Sequence, residues 1–181
     1  KNNYLAAVLE GKKKWGVAFL DISTGDFLVS EGNLAHIQQL IEKFQPAEVL
    51  ASKPQKNTIT AGLGGQLNLF YQEDWVFQLA FATTSLQQHF QVNTLKGYGL
   101  EHAQEGAICA GAILHYLSET QHRQLQHING IQKIANDAYV GIDRFTARNL
   151  ELLHPTTPEG IALVDVIDQT ATPMGARLLR Q

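Results

Sequence analysis

A single change of hydrophobic period, near residue 33, constrains the fold of this chain more than any other feature. Before that point, residues 4–9, 15–22 and 27–30 are rich in apolar and aromatic side chains. Turn-forming residues separate these segments at positions 11–14 and 23–26. The spacing predicts a three-stranded antiparallel meander.

After the change, apolar residues recur at the helical spacing i, i+3, i+4 and i+7, and Asn33 is placed to cap the helix. These residues are Ile37, Leu40, Ile41 and Phe44. Pro46 ends the helix, and residues 48–51 read as a buried strand. Since a crossover helix reaches it, this strand is expected to run parallel to an earlier one. The pattern predicts an α/β fold, a ribonuclease H-like mixed sheet with flanking helices.

Three further segments complete the predicted first domain. Residues 53–65 contain Pro54 and three glycines, which indicates a mobile loop, and residues 67–71 alternate like a short strand. A helix is predicted from Thr83, capped by Thr83 or Thr84. A second, at residues 105–120, carries apolar residues on more than one stripe and is expected to be the buried central helix.

The polar segment 122–130 predicts a domain boundary at its end, which gives domains of residues 1–130 and 131–181. Residues 131–135 and 138–142 are expected to form a hairpin that leads into a helix starting at Asp143. Pro155, Pro158 and Gly160 would end that helix. A new helix is predicted near Met174, so the second domain reads as the truncated beginning of a mainly helical unit.

A ribonuclease H-like sheet raises the alternative of a divalent-metal-dependent nuclease, since such enzymes hold metal ions with clustered carboxylates. Asp21 is the candidate first ligand, with Asp26, Glu31 and Glu48 nearby in sequence. However, Asp21 and Asp26 flank a Ser-Thr-Gly turn, where aspartate is expected for local hydrogen bonding. The structural interpretation is favoured.

Other chemistry has little support in the sequence. No histidine pair has zinc-ligand spacing, and the single Cys109 reads as a core residue. The phosphate-binding pattern G-x-x-x-x-G-K-[ST] does not occur. A net charge of −3 argues against autonomous nucleic-acid binding. No apolar run is long enough for a membrane span, and the lone cysteine favours a cytoplasmic protein.

Two motifs near the end of the chain identify a family. In residues 139–153 and 160–180, the order of residues resembles the start of the core domain in the MutS family of DNA mismatch-recognition ATPases. The residues that carry this resemblance are Asp143, Thr146, Arg148, Asn149, Leu150, Glu151, Asp165, Asp168, Thr170, Thr172, Pro173, Met174, Gly175 and residues 177–180, Arg177 among them. Capping and ion pairing favour a structural role for them over a chemical one. Residues 4–8, 20–25 and 97–101 look like the connector domain of the same family.

The resemblance implies a non-catalytic piece of a longer protein, with the connector at residues 1–130 and the N-terminal part of the core at 131–181. In the family, the connector couples the mismatch-binding and ATPase regions and helps to dock MutL. ATP, magnesium and mismatched DNA would be bound only by the full-length protein, which is expected to be a homodimer. Other domains of the same chain would be further partners, and no cofactor is expected in this piece.

For the surface that docks MutL we select the outward face of the helix after Thr83. It presents Thr84, Ser85, Gln87 and Gln88, neutral polar residues of the kind that form an adaptable interface rim. The alternative is a plain solvated helix face.

Overall fold

The computed structural model describes residues 4–64, 67–120, 125–134, 144–157 and 159–180. In this structure, a meander of strands precedes the predicted change of hydrophobic period near residue 33, and a crossover helix follows it. The strands are β1 (Tyr4–Glu10), β2 (Trp15–Asp21), β3 (Phe27–Gly32), β4 (Glu48–Ser52), β5 (Leu69–Gln72) and β6 (Gln132–Lys133). The helices are α1 (Leu34–Phe44), α2 (Lys56–Leu63), α3 (Leu79–Phe90), α4 (Gln104–Thr120), α5 (Arg144–Asn149), α6 (Leu163–Ile167) and α7 (Pro173–Leu179). Two units result, Lys1–Ala138 and Tyr139–Gln181.

The first unit is a mixed α/β fold around a six-stranded sheet of order β5-β4-β1-β2-β3-β6. β1, β2 and β3 pair antiparallel, which confirms the predicted meander. β4 follows α1 and pairs parallel with β1, as predicted for a strand reached by a crossover helix. The side chain of Asn33 accepts a hydrogen bond from His36 N and caps α1. β5 and β6 extend the two edges in parallel with their neighbours.

Both faces of the sheet are buried, and β1 shows why its sequence is apolar throughout. Alternate side chains of a strand point to opposite faces. Tyr4, Ala6 and Val8 pack in the cluster that contains α1 residues, and Leu5, Ala7 and Leu9 in the cluster that contains α4 residues. α4 buries nine residues, including both glycines, so the prediction of a buried central helix is confirmed.

The predicted loop at residues 53–65 is wrong. A 3-10 turn, Lys53–Gln55, leads directly into α2, which ends at Gly64 with φ +83°. Ile59 is fully buried in the α1 face of the core. Burial of the Ile59 side chain therefore stabilises α2, a short helix whose sequence shows little apolar periodicity.

The predicted start of α3 at Thr83 is also wrong, because the helix begins at Leu79 after the extended Gln78. Ala82 in its first turn is fully buried. Thr84 does not cap the helix, since its hydroxyl donates to Ala80 O from within it, at 3.0 Å. Tertiary packing, and not a capping residue, determines where α3 begins.

Of the predicted hairpin, only residues 131–134 lie in the described part of the chain. β6 pairs in parallel with β3, and Ile131 and Ile134 are buried in the two core clusters of the first unit. Residues 138–142 and the helix-starting Asp143 lie outside the described residues. The two units divide after Ala138, eight residues beyond the predicted boundary.

In the second unit, α5 ends at Asn149, six residues before the proline expected to end it. α7 confirms the helix predicted near Met174: Thr172 caps it through a bond from Gly175 N at 3.1 Å, and Pro173 is its first residue. α6 was not predicted; its five residues carry too little periodicity to be distinguished from a turn. None of the described helices is long and apolar enough to cross a lipid bilayer.

Candidate docking surface

The outward face of α3 is determined by its close packing on α4. A Cβ atom built on Gly111 of α4 would lie 2.6 Å from both Cα and Cβ of Ala82. The two helices can approach this closely only because residue 111 has no side chain. Ala82 and Leu86 are buried at this contact, so the opposite side of α3 faces away from the core.

The structure places the four selected residues of α3 in different environments. Thr84 and Gln88 are exposed, and Ser85 and Gln87 are half-buried. The Gln87 amide donates to Asn93 O at 2.8 Å. Gln87 therefore holds the segment that follows the helix, whereas Gln88 has no described side-chain hydrogen bond.

A left-handed residue at the end of α3 creates a shallow depression. Gln91 has φ 54°, and Val92 N folds back to donate to Gln87 O at 3.0 Å. The depression has a volume of about 430 Å3 and is lined by Thr84, Gln87, Gln88, Gln91, Val92 and Asn93. It brings together three of the four selected residues and leaves out Ser85.

Sequence reasoning missed Gln91, Val92 and Asn93. A glycine at position 91 would have signalled the left-handed turn, because glycine adopts positive φ without strain. Glutamine gives no such signal. The sequence offers one other indication of this depression, which is the high proportion of carboxamide side chains between residues 87 and 93.

The lining of this depression is uncharged. Its carboxamides both donate and accept hydrogen bonds, but none can serve as a nucleophile or as a general base near neutral pH. His89, the nearest titratable residue on α3, is bonded through Nε2 to Ile128 O at 2.9 Å. The arrangement is suited to hydrogen bonding with a polar partner surface.

The four carboxylates of the nuclease hypothesis do not converge. Tyr4 of β1 is paired with Asp21, and the next residue of β1, Leu5, is paired with Glu48. Because successive residues of a strand point to opposite faces, the carboxylates of Asp21 and Glu48 lie on opposite faces of the sheet. Asp21 accepts from Ser23 N at 2.8 Å, the local turn bond expected from the sequence. Glu48 accepts from the Tyr116 hydroxyl at 3.2 Å.

Glu31 has a structural role at the other end of the sheet. It accepts from Gly106 N in the first turn of α4 at 3.1 Å and pairs with Lys14. Asp26 lies in the turn after β2, where it accepts from the Thr24 hydroxyl. The nuclease alternative is therefore not supported by the geometry.

In the second unit, the first family motif forms a helix end. Leu150 N donates to Thr146 O at 2.9 Å, and Glu151 has φ 51°. The Glu151 carboxylate accepts from both the hydroxyl and the backbone N–H of Thr156. These bonds lower the pKa of Glu151. Arg148 and Asn149 are exposed on α5.

The second motif is built in the same way. Asp168 accepts from the hydroxyl of Thr170 at 2.7 Å and from its backbone N–H at 3.0 Å, and these bonds lower its pKa. Arg180, the residue that caps the end of α7, lies 3.1 Å from Asp165 and 3.8 Å from Asp168. Met174 and Arg177 are exposed. The described bonds of both motifs hold turns and helix ends, and they also join Glu151 O to Leu163 N and Arg180 to Asp165.

Two observations bear on whether this piece could bind ATP or magnesium. Its sequence lacks the phosphate-binding loop pattern, and in the described parts of the chain no three His, Cys, Asp or Glu side chains are grouped to hold a metal ion. Cys109 is fully buried, and burial raises the pKa of its thiol well above its usual value. A buried neutral thiol is a core residue and not a nucleophile.

Comparison with known proteins gives a consistent family assignment. A family model described as MutS domain II matches residues 3–129. The DNA mismatch repair protein MutS of Flavobacterium psychrophilum is 51% identical over 99% of this chain, and that of Flavobacterium johnsoniae is equally similar. The corresponding protein of Cytophaga hutchinsonii is 46% identical over the whole chain. In each case the chain covers 21% of the relative's length.

Proposed function

Because the chain belongs to the MutS family of DNA mismatch repair proteins, we propose that it is a non-catalytic docking and coupling segment of such a protein. Residues 1–130 would be the connector, and residues 131–181 the first part of the core domain. The chain spans about a fifth of the length of its relatives, so ATP, magnesium, mismatched DNA and a second subunit would be bound through other parts of the longer protein.

The sheet supports a ribonuclease H-like fold for the connector. Three antiparallel strands are followed by a crossover helix and two parallel strands, in the order β3-β2-β1-β4-β5. The meander, the crossover helix and the parallel β4 are the parts of this topology predicted from the change of hydrophobic period. The fold alone does not imply nuclease activity, and the separation of its carboxylates argues against it.

The observation that carries the docking proposal is the uncharged depression at the end of α3. Its helix is fixed by close contact with α4, while Gln88, Gln91 and Asn93 are exposed. A rigid frame with adaptable hydrogen-bonding groups is a good interface, because little conformational freedom is lost on binding. We propose that MutL contacts Thr84, Gln88 and the turn at residues 91–93.

Site-directed cross-linking tests this location. Since the native Cys109 is fully buried, the Gln88→Cys chain would carry a single accessible thiol. A short photoactivatable cross-linker attached there is expected to capture MutL. Gln39→Cys is the matched control, because Gln39 is exposed on α1, against the opposite face of the sheet. Equal capture from both positions, or capture from position 39 alone, would remove α3 from consideration.

A further inference from the structure

A second exposed surface of the first unit is apolar and separate from the carboxamide depression. Three large apolar side chains are exposed in the described part of this unit: Phe70 (39%), Trp75 (51%) and Leu79 (39%). All three lie in or beside β5 and the 3-10 turn Asp74–Phe77 that follows it. Exposed apolar residues scattered singly need no explanation, but a concentration of them marks an interaction surface.

Ring contacts join these side chains to α4. Trp75 makes edge contacts with Phe81 at 4.9 Å and His115 at 5.0 Å between ring centroids, and Phe81 and His115 are 5.4 Å apart. Phe70 lies 6.4 Å from Tyr116, the residue after His115. We call this surface the Trp75 patch: Phe70, Trp75, Leu79, Phe81, His115 and Tyr116.

The rim of the Trp75 patch is acidic. Glu119 lies 3.7 Å from His115 with its side chain 65% exposed. Glu48 is bonded to the Tyr116 hydroxyl, and Asp74 precedes Trp75. In the described part of the chain, none of these three carboxylates is paired with a lysine or arginine. The nearby Lys53 is paired with Glu73.

This combination selects one kind of partner. A nucleic acid is disfavoured, because its phosphates would meet the rim carboxylates. A guanidinium group can stack on the face of an exposed indole and pair with a neighbouring carboxylate, and it is more weakly hydrated than a lysine ammonium. Aromatic residues and Leu79 would at the same time cover apolar side chains of the partner.

We propose that the Trp75 patch binds an arginine-bearing apolar protein segment, with an arginine side chain stacked on Trp75 and paired with Glu119. This site is separate from the proposed MutL contact on α3. The patch and the carboxamide depression share no residue, although Phe81 of the patch lies about one helical turn before Thr84 of the depression.

The test uses backbone amide NMR spectra of the 181-residue chain with three blocked pentapeptides as probes. Leu-Arg-Leu-Arg-Leu is expected to give saturable shifts at residues 69–79 and 115–119. Trp75→Ala should weaken its binding at least about fivefold and Glu119→Gln about two- to threefold. Glu42→Gln removes an exposed carboxylate of α1 and should have no effect. Unchanged melting temperatures show that the variants are folded.

Several results would overturn the proposal. If Leu-Gln-Leu-Gln-Leu bound as tightly as the arginine peptide, the contact would consist of apolar burial alone. If Leu-Glu-Leu-Glu-Leu bound as tightly, the acidic rim would have no role in binding. Shifts at the patch that depend on protein concentration without peptide would make a second copy of the chain the occupant. The absence of saturable shifts at millimolar arginine peptide would contradict the proposal directly.

Discussion

Two neighbouring glutamines on α3 show how much the environment of one residue type can differ. Gln87 is half-buried and donates to Asn93 O, whereas Gln88 is exposed. The sequence places both on the same polar face and assigns them the same role. In the proposed docking surface, Gln87 would shape the turn after α3, and Gln88 would be available for direct contact.

The first residue-scale prediction compares Gln87→Met with Gln88→Met. Methionine keeps the length of the side chain and removes its hydrogen bonds. Loss of the Asn93 bond is expected to cost about 1 kcal/mol locally, so amide hydrogen exchange at residues 91–93 should accelerate about fivefold in Gln87→Met. Gln88→Met should leave these rates unchanged. Equal acceleration in both variants would contradict the assigned role of Gln87.

A second prediction concerns the two motif carboxylates. Hydroxyl and N–H donors from Thr170 lower the pKa of Asp168, and those from Thr156 lower the pKa of Glu151. Because folding lowers both pKa values, each group favours the folded state above its unfolded-state pKa. That contribution is lost as the pH falls through the folded-state pKa.

Thr170→Val is therefore expected to raise the pKa of Asp168 and leave that of Glu151 unchanged. Thr156→Val is expected to raise the pKa of Glu151 and leave that of Asp168 unchanged. Side-chain carboxyl NMR titration measures both groups in one sample, so each variant is the control for the other. If neither pKa moves in its matched variant, the threonine hydroxyls do not hold these turns.

At the scale of elements, close packing between α3 and α4 determines which face of α3 is exposed, and so where the proposed docking surface lies. The sequence predicts most elements of the first unit because their signals are local: Asn33 caps α1, and apolar periodicity marks α1 and α4. It fails where the decisive contact is distant in sequence. The start of α3 depends on Ala82 meeting Gly111, and α2 depends on the burial of Ile59.

Gly111→Ala tests this contact. Alanine raises helix propensity by about 1 kcal/mol relative to glycine, but the added Cβ would lie 2.6 Å from Ala82, and overpacking costs about 1 to 3 kcal/mol. We expect a net loss of about 1 kcal/mol, or a fall in melting temperature of about 2 to 4 °C, together with weaker MutL binding.

Gly97→Ala is the matched control for this substitution, because nothing lies within 4 Å of a Cβ at that position. It should leave both stability and MutL binding unchanged. A Gly111→Ala chain with full stability and full binding would show that α3 is not positioned by this contact.

At the scale of the whole molecule, the limits of sequence reading are clearest between the two units. The polar composition of residues 122–130 suggests a boundary there, and the family match ends at residue 129. Yet β6 adds a strand to the sheet, and Ile131 and Ile134 complete its two cores. A two-residue strand carries no periodicity, so its position could not be predicted. The carboxamide depression was only partly predicted, because the left-handed turn at Gln91 lacks the glycine that usually marks such a helix end.

We propose that the first unit docks MutL by itself through the end of α3. Calorimetric titration of the 181-residue chain with MutL tests this proposal, using Gln88→Glu and the matched control Gln39→Glu. We expect saturable binding that Gln88→Glu weakens at least about tenfold, since an interface hot spot contributes about 2 kcal/mol or more, and that Gln39→Glu leaves unchanged. A folded chain that does not bind MutL, or that binds equally well with Gln88→Glu, would contradict it.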